Sequence, residues 1–217
     1  MSDLVKLKKI ISSIGPDSCP YAINFHCHTL CSDGSLSPVQ LIKQATTLNV
    51  GHISVTDHHS ISAYVEMNVW LNQNKSEFKK LPTLWTGIEI SCLLRNCIVH
   101  VIGLGFDLTH QSLQPYTRGE APIGQHLRAE SVVSSLHEAG GLVVLAHPAR
   151  YRLPYTELIE EAARLGFDAG EAWYNYEHSS IWHPSDYICK SINHKLISLG
   201  LLSTCGTDTH GLQITCR

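Results

Sequence analysis

Short apolar runs alternate along this chain with longer stretches in which apolar residues recur every three or four positions. AINFHCH, HISVTDH, LWTGIEI, CIVHVIGLGF, GGLVVLAHP and LLSTCGTD are of strand length, and each ends in polar residues, as buried strands do. Between them, residues 37–48, 61–75, 125–139, 155–165 and 184–199 read as helices, and the leading MSDLVKLKKIISS reads as one more. Ser37 followed by Pro38 predicts an N-cap and a first-turn proline, and Gly51 lies where that helix should stop. The alternation predicts an α/β fold with a mostly parallel sheet closed as a barrel, in which the C-terminal ends of the strands share one rim. A doubly wound open sheet is the alternative. No internal repeat interrupts the pattern, and the loop at 109–124, with two prolines and two glycines, is the expected flexible segment.

Composition narrows the class. A chain of 217 residues, 43% of them apolar, is long enough to bury a sizeable core; residues 1–217 are expected to form one domain, with 1–20 as its leading segment. Sixteen Lys and Arg against a net charge of -3 supply no basic field for a broad nucleic-acid groove. A short strand remains possible as a substrate, but no stable nucleic-acid complex is expected. The N-terminus lacks the long apolar core of a secretory signal or a membrane span. The eight cysteines include no CxxC pair, so they are expected to be reduced thiols in a cytoplasmic protein and not a zinc site. Fourteen histidines are the anomaly.

Their placement is ordered. His26 and His28 flank Cys27, and period-two geometry sends both imidazoles to one side and the thiol to the other. By itself this is either a polar strand end or part of a metal site. Asp57 and His58 close the second run, Glu89 lies in the third, His100 in the fourth, His147 ends the fifth, and Asp208 with His210 ends the last. On a common rim, His26, His28, Asp33, His58, Glu89, His100, His147, Asp208 and His210 would meet in one cleft. Nine nitrogen and oxygen donors exceed the shell of one ion, which predicts two or three divalent ions with Glu89 able to bridge two. So oxygen-rich and cysteine-poor a set disfavours a zinc-storage role.

HCH at 26–28, SDG at 32–34, TDHHS at 56–60, GIEIS at 87–91, HVIGLGF at 100–106, LAHPARY at 145–151 and GTDTH at 206–210 together resemble the PHP (polymerase and histidinol phosphatase) family. The resemblance implies a distorted (β/α)7 barrel, similar to a TIM barrel, holding a trinuclear centre that hydrolyses phosphoesters, with manganese expected and zinc or iron as alternatives. Carried over by position, it puts His26, His28, Glu89 and Asp208 on one ion, Asp33, His58 and His210 on a second, and Glu89, His100 and His147 on a third. His52, His59, His110, His126, His137, His178, His183 and His194 are left as surface or supporting residues. Such ions lower the pKa of a bound water and neutralise phosphate oxygens, so the implied reaction is attack by metal-activated hydroxide.

Three residues complete the expected site. Arg150, three positions after His147, either forks onto phosphate oxygens or pairs at the surface with Glu157 or Glu160. Asp57 either orients a ligand from behind or caps a turn, and Glu171 in GEAWYN is expected to line the pocket. Within the family the motifs are most similar to nucleoside 3',5'-bisphosphate phosphatases and 5'-to-3' exoribonucleases, which implies a nucleotide or short oligonucleotide as substrate. Those proteins carry an extra helical segment before the strand leading to AHP; RAESVVSSLHEAGGLVVLAHP runs straight through, which implies a more open cleft. A histidinol-phosphate-type phosphatase and a catalytically silent regulatory module of the same fold are the alternatives.

Overall fold

In the computed structural model, which describes residues 3–177, 179 and 181–217, helices and strands alternate as expected, but one strand runs the wrong way. His178, one of the histidines set aside above, lies outside the described residues. The order is α1 (Asp3–Ile11), β1 (Ile23–Asn24), α2 (Pro38–Thr47), β2 (His52–Ser54), α3 (Ser62–Gln73), β3 (Thr83–Trp85), β4 (Gly87–Leu94) and β5 (Cys97–Leu104). It continues with α4 (Ala129–Glu138), β6 (Leu142–Leu145), α5 (Tyr155–Arg164), β7 (Ala169–Trp173), α6 (Asp186–Ser198) and β8 (Leu202–Cys205). α2 begins as its sequence predicts: Ser37 Oγ accepts from Gln40 N at 3.2 Å, Gln40 Oε1 accepts from Ser37 N at 2.9 Å, and Pro38 occupies the first turn. It ends on Asn49 in the left-handed region (φ 57°), two residues before the glycine expected to stop it.

The strands pair as two sheets. β1, β2 and β3 are parallel. In the second sheet β5 is antiparallel to both β4 and β6, whereas β6, β7 and β8 are parallel. The mostly parallel sheet expected from the sequence is therefore corrected to a mixed one. The cause is local: only Arg95 and Asn96 connect β4 to β5, both at positive φ (48° and 58°), the type I′ geometry of a tight hairpin and far too short for a crossover. The run LWTGIEI divides at Thr86 into β3 and β4, and AINFHCH is paired as strand only at Ile23 and Asn24.

Backbone hydrogen bonds join the two sheets at two seams. Phe25 N donates to Cys205 O (3.1 Å), Asp208 N to His26 O (2.8 Å) and His28 N to Thr209 O (3.0 Å); at the other seam Glu89 N donates to Asp57 O (3.2 Å) and His59 N to Glu89 O (3.0 Å). The first seam joins HCH to GTDTH and the second joins TDHH to GIEI. The large core packs β4 to β8 against α1, α4, α5 and α6, and a smaller one, including Cys27, Leu41, Ile42, Ile53 and Met67, fills the space under α2 and α3. The loop at 109–124 is anchored by the buried side chains of Leu113 and Tyr116. All eight cysteines are free, and none joins a potential metal-binding group among the described residues. No helix among those residues is long and apolar enough to cross a membrane.

Candidate metal centre

The HCH segment leaves β1 and runs between the continuation of β8 and the end of β2, where Cys27 bridges Thr209 and its carbonyl accepts from Thr56 N (2.8 Å). Alternation then turns Cys27 into the smaller core and leaves His26 and His28, both fully buried, on the opposite side. Two glycines make this possible. A Cβ at Gly206 would lie 2.2 Å from His26 Cβ, and one at Gly34 would lie 2.4 Å from the His28 carbonyl carbon, so the two chains flanking HCH approach closer than any side chain allows.

Glu89 stands at the middle. Its Oε2 is 3.2 Å from His26 Nε2, 3.1 Å from His28 Nε2 and 3.5 Å from His58 Nε2. Its Oε1 is 3.0 Å from His100 Nδ1 and 3.4 Å from His147 Nε2. Asp208 Oδ1 closes the same space at 3.2 Å from His26 Nε2 and 3.3 Å from His28 Nε2. Asp33, on the exposed SDG loop, reaches His28 (3.4 Å), His58 (3.7 Å) and His210 (3.2 Å). All nine side chains named from the sequence are thus brought to one place.

The donor atoms form three overlapping groups: His26, His28, Glu89 and Asp208; His28, Asp33, His58 and His210; and His58, Glu89 and His100. His28 and His58 serve two groups each, which the sequence did not suggest, and His147 approaches the third group only through Glu89. His100 also arrives differently from the way expected. It lies in the middle of antiparallel β5, opposite Ser91, and joins Glu89 on one face because Glu89 and Ser91 are two residues apart on β4.

Three features fit divalent ions. His26 Nε2 and His28 Nε2 face each other at 3.1 Å, and metal–ligand bonds of about 2.0–2.2 Å put neighbouring ligands roughly 3.0–3.5 Å apart. Buried His147 Nδ1 makes no hydrogen bond, a costly arrangement for a polar group with nothing to bind, while Glu89 Oε1 and His28 Nδ1 have only the ion-pair contacts given above. His147 and Asp208 also have left-handed backbones (φ 26° and 52°), strain of the kind that collects at functional sites.

Buried groups behind the cluster set the orientations of its side chains. Both oxygens of Glu171 lie 3.1 Å from His26 Nδ1, and Oε2 also accepts from His147 N at 3.0 Å. With Nδ1–H donated to Glu171, the His26 ring is turned so that Nε2 points into the space shared with Glu89 and Asp208. Asp57 accepts from Thr29 N (2.6 Å), Thr29 Oγ1 (2.6 Å) and Ser32 Oγ (2.7 Å), which fixes the loop carrying Asp33. Glu171 and Asp57 are both buried. Glu171, expected to line the pocket, lies instead against His26 Nδ1, whereas Asp57 braces the turn behind the Asp33 loop, in keeping with the supporting roles expected of it. Arg150 makes neither surface pairing: Glu157 pairs with Arg95 and Glu160 with Lys195, while Arg150 Nη1 donates to Asp208 Oδ2 (3.0 Å) and Tyr174 Oη (3.1 Å). Sequence reasoning passed over Tyr174, although it follows Glu171 by three residues at a strand end; its hydroxyl donates to Asp208 Oδ2 at 2.6 Å.

Charge is distributed unevenly. Burial opposes the charged form of His26, but Glu171, Glu89 and Asp208 outweigh it and hold its pKa well above the ordinary imidazole value. His28, equally buried but hydrogen-bonded to Asp208 and Glu89, is pushed up to about 9, whereas burial drops His58 to about 4. Burial works against Glu89 and Asp208 as anions as well, yet the His26 charge holds both well below the carboxylate range. A ligand must give up its proton. Divalent ions entering the His26–His28 group therefore displace protons at neutral pH, and those meeting His58 do not. The His28 proton alone is expected to make apparent manganese affinity rise by about tenfold per pH unit from about pH 7 to about pH 9, and the proton on His26, whose pKa is also raised, steepens the rise. Titration calorimetry in buffers of different ionisation enthalpy measures that release; a flat affinity across the range would contradict it.

No family model matches the chain. Curated relatives do. It is 30% identical over 159 residues to a 5'-3' exoribonuclease of Haemophilus influenzae, covering 70% of this chain and 55% of that protein. It is 28% identical over 146 residues to the 5'-3' exoribonuclease Rnm of Escherichia coli (60% and 48%), and 28% identical over 118 residues to a 3',5'-nucleoside bisphosphate phosphatase of Chromobacterium violaceum (54% and 39%). Among solved structures, an amidohydrolase from Chromobacterium violaceum with bound sulfate and no metal superposes with a TM-score of 0.70 at 19% identity over 87% of both chains. A two-domain protein from Bacteroides vulgatus containing a predicted PHP-like metal-dependent phosphoesterase gives 0.62 at 13% identity, over 88% of this chain and 52% of that one. The fold is PHP-like. The chain spans about half the length of the exoribonucleases it matches, and between α4 and β6 it has only Ala139, Gly140 and Gly141.

Proposed function

We propose that this chain is a metal-dependent phosphoesterase that hydrolyses phosphomonoesters or phosphodiesters of nucleotides or short oligonucleotides. One observation carries the reading: five imidazoles surround the two oxygens of one buried carboxylate, Glu89, at 3.0–3.5 Å, beside a guanidinium. His26, His28, Asp33, His58, Glu89, His100, His147, Asp208 and His210 would hold two or three divalent ions, manganese in the first instance and zinc or iron otherwise. Bound there, the ions would neutralise phosphate oxygens and supply an activated water. Arg150 has a half-buried side chain beside Asp208 and would fork onto the phosphate. Glu171 and Asp57 would hold His26 and the Asp33 loop in place. The nucleotide class is supported by the names of the relatives, and the open connection between α4 and β6 suits a short substrate.

The finer points of architecture belong to the same proposal. With β3 and β4 as two halves of one strand, the hydrogen-bonded seams would close the sheets into a distorted (β/α)7 barrel, folded as one domain over 1–217. A reduced-thiol, cytoplasmic setting accords with eight free cysteines.

The test is phosphate release from 3',5'-bisphosphonucleosides, AMP, short RNA, histidinol phosphate and sugar phosphates with added manganese. Release from the nucleotide substrates supports the reading; preference for histidinol phosphate transfers the site to small-molecule phosphatases, and silence with every metal makes it a regulatory module. Arg150→Lys is expected to raise KM about tenfold or more with metal content unchanged, because an ammonium cannot make the planar two-point contact. Loss of metal in step with activity would assign Arg150 to the metal centre instead.

A further inference from the structure

Asp208 is held in an unusual way. Its Oδ1 faces His26 and His28, and its Oδ2 takes three donors from three parts of the chain: Tyr174 Oη at 2.6 Å, Arg150 Nη1 at 3.0 Å and Arg217 Nε at 3.0 Å. A carboxylate oxygen offers about two acceptor sites, so one donor is surplus. The backbone of Asp208, at φ 52°, is one that a non-glycine residue keeps only when its surroundings enforce it.

Tyr174 is built to enforce it. It is fully buried at the end of β7, and its ring meets the His147 ring edge-on at 5.4 Å. Its carbonyl accepts from Ser185 N and from the Cys189 thiol, both at 3.1 Å, and its N–H donates to the same sulfur at 3.4 Å. Both arginines lie over its ring, at 5.9 Å for Arg150 and 5.8 Å for Arg217. Of the two, Arg150 is the more exposed, at 34% against 24%, and the phosphate role proposed above gives it a second partner.

We propose that Tyr174 and Arg217 are positioning residues for Asp208. They hold Oδ2 so that Oδ1 stays turned to the His26–His28 pair, and they keep Asp208 satisfied when Arg150 leaves it for a substrate phosphate. The second half rests on the phosphoesterase reading. Without Tyr174 and Arg217, Arg150 would be needed at Asp208 and the two tasks would compete for one guanidinium.

Manganese titration of the whole chain, followed by titration of the manganese-loaded protein with inorganic phosphate, separates the roles. Tyr174→Phe keeps the ring on His147 and removes only the donor; Arg217→Gln removes the guanidinium with its charge and Nε contact and leaves a shorter, neutral amide. Each is expected to weaken manganese binding about 10–100-fold, in a metal-free protein that still folds and melts cooperatively. Arg150→Gln is expected to leave manganese affinity within about twofold and to weaken phosphate at least about tenfold. Wild-type manganese affinity in both Tyr174→Phe and Arg217→Gln overturns the proposal, as does a manganese loss in Arg150→Gln as large as theirs. If Tyr174→Phe does not fold, Arg217→Gln decides. A wild-type chain that binds no divalent ion overturns the metal reading itself and this proposal with it, an outcome distinct from normal binding in the variants.

Discussion

Replacing Glu89 with glutamine is expected to abolish turnover and to remove metal from at least one group of donors. The two carboxylate oxygens serve different partners, Oε2 facing His26, His28 and His58 and Oε1 facing His100 and His147. Glutamine keeps the shape and one oxygen. Whichever position takes the NH2, one set of imidazoles then meets a donor where it had an anion, and no side-chain flip restores both sets. Loss of one bridging charge from the centre should cost at least about a thousandfold in turnover, roughly 4 kcal/mol of barrier. Metal analysis of the purified variant beside wild type, together with phosphate release, measures both effects. The metal-free proteins supply an independent readout. Glu89 is among the charges that keep the His26 pKa up, so in Glu89→Gln that imidazole loses its proton at lower pH, which an NMR titration would follow. Full metal content with turnover within about tenfold of wild type would remove Glu89 from the centre of the site.

How much of this was legible in the sequence depends on the range over which each feature is determined. Helix α2 was readable to the residue at its start because Ser37, Pro38 and Gln40 act within one turn. His26 and His28 were readable because alternation along a strand end decides which way they face. The direction of β5 was missed although it is also local: a type I′ turn is ordinarily signalled by Asn-Gly or Asp-Gly, and Arg95–Asn96 adopts it without glycine. His100 therefore entered the expected site for the wrong reason, as a residue at a parallel strand end. Glu171 is expected from the sequence to line the pocket, but nothing local reveals that it lies against His26, 145 residues away. Tyr174 has no motif of its own. Its contact with Asp208, 34 residues on, is made beside an irregular register of β7 and β8 between Glu171 and Trp173. Donors that touch metals fall into short patterns; the groups that hold those donors are chosen by tertiary contact and leave no period in the sequence.

Gly206 tests that distinction, because it touches no metal and has a backbone and hydrogen as its only equipment. Gly206→Ala is expected to empty the His26–His28 group while leaving every donor in the chain. The added methyl would lie 2.2 Å from His26 Cβ, 2.6 Å from its N and 2.8 Å from its Cα. Carbon atoms rest at about 3.5–4.0 Å, so the two segments must separate by roughly 1.5 Å, and no rotamer relieves a clash with main chain. The hydrogen bonds flanking the contact, Phe25 N to Cys205 O and Asp208 N to His26 O, lie on that seam and lengthen with it. Metal sites tolerate only about 0.2 Å of error in ligand distance. Overpacking of this kind costs about 1–3 kcal/mol, which for a chain of this size lowers the melting temperature by roughly 2–12 °C. The expected result is a folded protein, somewhat less stable, with manganese affinity reduced at least about a hundredfold and its hydrolytic activity lost with it. Calorimetric melting beside manganese titration reads both, and a variant that melts lower yet binds manganese normally would show that the seam can open without moving His26, and that the close approach of GTDTH to HCH serves the fold alone.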